Sequence, residues 1–176
     1  MKNFLVICAM GEDRPGLLHD LSRVILDAGC SVHDSHINVL GQECVAMLMV
    51  RGNWNTLAKL EAQLRKAEPS LGLTLTLKRT GPRKAGDDAL PYAVEVIALE
   101  QPGIVNSLAG FFASRSINIE ELVTRSYTAP HTGAAMFSVN MAIGVPANMH
   151  IGLLRDEFLD FCDDLNLDAV MEPVKG

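Results

Sequence analysis

No Cys-x-x-C pair occurs among the four cysteines of this 176-residue chain, Cys8, Cys30, Cys44 and Cys162, which removes the usual zinc-ribbon and dithiol readings. Cys8, Cys30 and Cys44 stand among apolar residues in predicted strands or at their edges, so they are expected to be small buried hydrophobes. Positive charge is also scarce: 15 Lys and Arg face 21 Asp and Glu, for a net charge of −6. Nucleic-acid binding depends on neutralising phosphates with Lys and Arg, so direct contact with nucleic acid is not expected. The apolar run "NFLVICAM" is too short to span a bilayer and lacks a small-residue cleavage site. The cytoplasm is therefore the expected compartment, and no membrane partner is expected. Phosphate loops are missing as well, with neither Gly-Lys-Ser/Thr nor G-x-G-x-x-G at a helix start. No nucleophile-elbow, kinase or zinc-hydrolase signature is present, and the expectation is a protein that is not an enzyme and takes no cofactor.

What the chain does have is a second copy of itself. "DRPGLLHDLSRVILDAGCSV" (13–32) and "EQPGIVNSLAGFFASRSINI" (100–119) align without a gap at an offset of 87, from Gly16 to Gly103. Each copy continues with a strand, a turn at Gly41 or Gly133, and a strand ending at Gly52 or Gly144, the second hairpin being five residues longer. A helix and a last strand follow, with Leu73, Leu75 and Leu77 matching Leu167, Ala169 and Met171. Each copy thus reads β-α-β-β-α-β, the ferredoxin-like order. The expected fold is α+β, with two ferredoxin-like βαββαβ domains, each a four-stranded antiparallel sheet with two helices on one face. The expected boundaries are 1–80 and 91–176, around a Gly-, Pro- and charge-rich linker at 81–90.

Local signals fit that order. Pro15 suits the first turn of a helix and Asp13 its cap. Leu18, Leu21, Ile25 and Ala28 form an apolar stripe, and Gly29 supplies the stop. In the second helix Leu57, Leu60 and Leu64 form the stripe, and Glu61 and Arg65 are spaced as an i,i+4 pair. Its counterpart carries Ile151, Leu154, Phe158 and Phe161. "LTLTL" alternates like an edge strand, whereas "FLVICAM" and "VAMLMV" are apolar throughout. Two helices cover one face of a sheet, so the other face of the first copy is expected to meet the other domain or another subunit; a homodimer is an open alternative.

The chemistry concentrates at the repeated turn. "GEDRPG" and "ALEQPG" both place an acid, Asp13 or Glu100, before a helix start. A carboxylate there repels phosphate but suits an ammonium group, while backbone N–H groups of a helix start suit a carboxylate. The pair of charges matches a zwitterionic amino acid; a tight turn without a ligand explains the same residues. "HDSH" tempts a metal reading, but His33 and His36 point to opposite faces of a strand unless a bulge intervenes, and no metal site is expected. The fold also hosts acylphosphatases, and Arg14 lies in the corresponding loop, but Asp13 beside it opposes an acyl phosphate.

These stretches resemble ACT domains, small regulatory modules of amino-acid metabolism, in the D/N-R-P-G-type turn, the amphipathic helix and the G-x-N-I strand start. The resemblance covers nearly the whole chain outside the linker and is strongest to tandem-ACT regulators of transcription. It implies a small amino acid as ligand, glycine first, and a DNA-binding transcriptional activator as protein partner, with repression exerted through that activator. The family's ligand residues, held across an interface between two ACT units, carry over to Asp13, Arg14, Pro15, Gly16 and Leu17 in the first turn. They carry over to Glu100, Gln101, Pro102, Gly103 and Ile104 in the second. At the strand start they carry over to Ser31, and to Asn118 with Ile119. The family's asparagine is a serine in copy 1, and its arginine is Gln101 in copy 2, so neither copy keeps the full pattern. A constitutive protein-interaction adaptor on the same fold is the alternative.

Overall fold

The computed structural model describes residues 3–82 and 89–174. Its elements are β1 (Asn3–Glu12), α1 (Leu17–Asp27), β2 (Ser31–Leu40), β3 (Glu43–Gly52), α2 (Trp54–Leu71) and β4 (Thr74–Thr80). The order then repeats as β5 (Ala89–Leu99), α3 (Ile104–Ala113), β6 (Asn118–Thr128), β7 (Ala135–Pro146), α4 (Ile151–Asp164) and β8 (Asp168–Pro173). The chain divides into two compact units, 1–84 and 85–176. β5 begins inside the stretch read as linker, and Arg83 and Lys84 of that stretch lie outside the described residues.

Each unit is one antiparallel sheet, β2-β3-β1-β4 or β6-β7-β5-β8, the ferredoxin-like arrangement expected from the repeat. Alternation along the central strands makes the core. Leu5, Ile7 and Ala9 of β1 and Cys44, Ala46, Leu48 and Val50 of β3 pack under α1 and α2. Tyr92, Val94, Val96 and Ala98 of β5 and Val139, Met141 and Ile143 of β7 pack under α3 and α4. The first core is aliphatic. The second is built on Phe111, Phe112, Phe158 and Phe161, with ring centroids 5.0 to 5.3 Å apart.

The structure corrects several local expectations. Leu17, not Leu18, joins Leu21, Ile25 and Ala28 in the core: the helix begins at Leu17, two residues after Pro15, and the i,i+4 row of Leu17, Leu21 and Ile25 is the one it buries. Cys30 and Cys44 are buried, but Cys8 is exposed: it occupies the β1 parity that points away from the helices. Arg51 pairs with Ser31 and Gly144 with Asn118, so those two are the equivalent positions, 144 − 51 = 93 apart, and the second hairpin is longer by six residues. Glu61 turns from Arg65 to Arg79 of β4, which donates two hydrogen bonds to it at 2.7 and 3.0 Å. Those bonds hold the Glu61 carboxyl below its ordinary value against the opposing effect of burial, with the charges of Arg79 and Arg65 adding to the pull. The Arg79 guanidinium also stacks 4.7 Å from the Trp54 ring.

One outer strand of each sheet is bonded by a helix of its own unit. Glu68 of α2 accepts the Leu75 N–H of β4 at 2.8 Å, and Arg155 of α4 donates to the Met171 carbonyl of β8 at 3.0 Å. Helix ends follow one geometry with different residues. Cys30 and Leu73 each donate back to the fifth residue before them, over Gly29 and Gly72 in the left-handed region. In the second unit Ile117 and Leu167 do the same over Ser116 (φ 57°) and Asn166 (φ 56°).

Candidate functional site

The repeated turn takes the same shape in both units. Leu17 N–H donates to the Arg14 carbonyl at 3.3 Å, and Gly16 sits at φ 87°, ψ −9°. That is the third position of a type II turn, with Pro15 at the second. Gly103 repeats it at φ 92°, ψ −4° after Pro102. A side chain at either glycine would cost about 1–2 kcal/mol in backbone strain, which is why the repeat keeps Pro-Gly. Pro15 and Pro102 therefore lie before the helix, not in its first turn, and glycine takes the capping position that Asp13 was expected to serve.

No side chain caps α1 or α3. The second helix of each unit differs. In α2, Asn53 accepts the Thr56 N–H at 2.8 Å while Thr56 accepts the Asn53 N–H at 2.9 Å. In α4, His150 Nδ1 accepts the Leu153 N–H at 3.2 Å. The helices whose starts face the acidic turn are the pair left without a side-chain acceptor.

The acids are anchored through their backbones. Asp13 N–H donates to the Gln42 carbonyl and Glu100 N–H to the Ala135 carbonyl, both at 2.9 Å. Each turn is thereby tied to the β2-β3 or β6-β7 hairpin of its own unit, and the Asp13 side chain stays exposed. These two carbonyls escaped the sequence reading; the glycines that start the hairpins, Gly41 and Gly133 with positive φ, were the available signal. Arg14 folds back onto its helix, its Nη2 2.9 Å from Asp20 Oδ2. Gln101 reaches the Leu165 carbonyl at 3.5 Å, and Ser126 donates to Glu100 at 3.3 Å. Leu17 and Ile104 are buried and root the turns in the cores. Beneath the first turn Leu17, Leu18 and Ile37 enclose a space of about 10 Å³, room for one water. Gly11, the other glycine of "GEDRPG", belongs to β1, where a Cβ would strike the Gly72 carbonyl.

The strand-start residues are elsewhere. Ser31 pairs with Arg51, which pairs with Phe4 at the beginning of β1, whereas the turn follows Glu12 at its end. Those ends are about 26 Å apart at 3.3 Å per residue. Asn118 and Ile119 bear the same relation to Glu100–Ile104 in the second unit. Ser31 or Asn118 can therefore reach a ligand at a turn only if that turn belongs to a different unit of this fold. The bulge that would spoil the His33/His36 alternation does exist, between Val32 and Asp34, and Ile119/Glu121 repeats it. His33 packs its ring 5.1 Å from Phe4. Among the described residues, no three His, Cys, Asp or Glu side chains are placed to hold a metal ion.

Comparison with known proteins agrees with this geometry. The ACT domain family model matches residues 3–78, from the start of β1 into β4. Residues 3–78 are thus similar to ACT domains, and the second unit repeats their strand order. Over 173 residues, 98% of this chain and 91% of the relative, it is 28% identical to the glycine cleavage system transcriptional repressor of Escherichia coli (strain K12). The figures for the repressor of the same name in Shigella flexneri are equal. A crystal structure provisionally described as a glycine cleavage system transcriptional repressor superposes with a TM-score of 0.74 at 25% identity, covering 100% of this chain and 99% of that one. A Galdieria sulphuraria structure superposes at 0.84 with 22% identity, covering 99% of this chain and 100% of that one, which shows the fold. Among the described residues, no helix is long and apolar enough to cross a membrane.

Proposed function

We propose that this ACT pair senses a small amino acid, glycine first, and controls a protein partner without chemistry of its own. The observation that carries the reading is the contrast between helix starts: α2 and α4 are capped by side chains, while α1 and α3 open beside Asp13 and Glu100 without one. A ligand carboxylate would take the N–H groups of that first turn, and the side-chain carboxylate would take its ammonium. Gly16 and Gly103 keep Cβ atoms away from the same spot. Arg14 is engaged by Asp20, which favours this reading over acyl-phosphate hydrolysis. The modules are residues 1–80 and 91–176 with a linker at 81–90. The site residues are the two turns together with Ser31, Asn118 and Ile119 as contributors to a turn of another ACT unit.

Glycine comes first because the chain is similar to repressors named for the glycine cleavage system. The partner inferred is a DNA-binding transcriptional activator in the cytoplasm, and the acidic chain makes no contact with DNA itself. A ligand shifts the contact with that partner only as far as its affinities for the free and partner-bound forms differ.

Titration calorimetry with each of the twenty amino acids tests the first half. Heat from glycine or a close homologue, reduced at least tenfold in affinity by Asp13→Ala or Glu100→Ala, is the expected result. Absence of heat from all twenty would replace sensing with a ligand-independent adaptor. Capture of an activator from lysate, with and without glycine, tests the second half.

A further inference from the structure

The two sheets differ on the face turned away from their helices. In unit 1 the centre of that face is Val6, Cys8 and Met10 of β1 beside Val45, Met47 and Met49 of β3. Cys8 is exposed, Met47 is 49% exposed and Met10 51%. In unit 2 the same positions hold Ala93, Glu95 and Ile97 beside Ser138, Asn140 and Ala142. The apolar stripe in unit 1 is bordered by polar residues in matched rows. Asp34 of β2, Met49, Val6 and Lys78 of β4 form one row; His36, Met47, Cys8 and Thr76 form the next. Opposite charges therefore stand at the two ends of a single row.

We propose that this face docks a second copy of the chain, unit 1 on unit 1, about a two-fold axis running along the strands. That operation keeps each row in place and exchanges its ends. Asp34 then meets Lys78 of the partner subunit, twice by symmetry, while Met47 and Met49 lie on Cys8 and Val6 of the partner subunit. An isologous contact requires such self-complementarity, and methionines fill the irregular space between two twisted sheets about 10 Å apart. The open face of unit 2 does not fit as occupant, because Glu95 and Asn140 would be buried against methionine without partners. Phe4, at the start of β1, is already buried and lies outside the docking rows. Four strands over about seven residues present roughly 400 Å², below the ~800 Å² per partner of a standard interface, so the dimer is weak and concentration-dependent. This inference does not depend on amino-acid binding.

Sedimentation of the full chain across concentrations up to millimolar is the test, with folding of each variant checked by circular dichroism. The wild type is expected to pass from monomer to dimer. Met47→Lys and Asp34→Lys should each weaken association at least tenfold, and Asp34→Lys with Lys78→Asp should restore it. Cys8 alkylation should slow as the dimer fills. A wild type that stays monomeric at millimolar concentration overturns the proposal. So does a dimer indifferent to Met47→Lys, or one whose double charge exchange fails to recover.

Discussion

Two units with one topology reach it with different materials. Unit 1 has an aliphatic core, glycines at both helix stops and an apolar outer face; unit 2 has a phenylalanine cluster, Ser116 and Asn166 at the stops, and a polar outer face. The turns before α1 and α3, by contrast, keep Pro-Gly, an acid and an uncapped helix start in both. Packing tolerates exchange of residues so long as volume and pattern hold. A turn that needs φ near +90° does not. What two diverged copies retain in common is therefore backbone geometry at the site, and what they vary is the surroundings.

The largest test of that comparison is Phe158→Ala, which removes a fully buried ring from the aromatic cluster at a cost of about 3–5 kcal/mol. Amide exchange should accelerate through β5–β8 while β1–β4 keep their protection; equal loss in both would show that the cores are not separate. Arg79→Ala comes next, removing the fork to Glu61 and the stacking on Trp54, for about 1–2 kcal/mol. Because the folded-state value of Glu61 is depressed, its contribution is present above the ordinary carboxylate range and disappears as pH falls through the folded value. The gap between wild type and Arg79→Ala should thus narrow in acid to the part owed to stacking on Trp54, and a gap as wide in acid as at neutral pH would refute the ion pair as its main cause. Ser116→Gly should stabilise unit 2 by about 1 kcal/mol and Asn166→Gly by a few tenths, since asparagine tolerates the left-handed region. Gly29→Ser should do the reverse in unit 1, and chemical denaturation reads all three. The smallest effect is chemical: a maleimide should modify Cys8 first, because Cys30, Cys44 and Cys162 are buried, and burial, aided by Asp163, also pushes the Cys162 thiol up to about 12.

The internal repeat made element order and sheet topology legible, since a shared offset of 87 aligns the turns, first helices and strand starts without any tertiary information. The details that escaped depend on contacts distant in sequence. Nothing near Glu61 announces Arg79 rather than Arg65, because the choice is made when β4 docks beside α2. Gly52 and Gly144 looked equivalent, but the ladders make Arg51, paired with Ser31, the counterpart of Gly144, paired with Asn118, and only strand register reveals the extra residue. The bulges at His33 and Glu120 have no sequence marker, yet they decide which way the following residues of β2 and β6 point. Of the candidate site, the turns were legible in outline; their separation from Ser31 and Asn118 was not, because α1 carries the chain the length of the sheet before β2 begins.

The hydrogen bonds from β4 to Glu68 and from Arg155 to β8 have a consequence for the life of the chain at high copy number. An exposed sheet margin invites any passing extended segment to add itself, the first step toward fibrils. Here a recruit would find one rung of the rail already taken and would have to prise loose a helix side chain to complete its run of backbone bonds, so sheet growth in that direction is hindered by the molecule's own architecture.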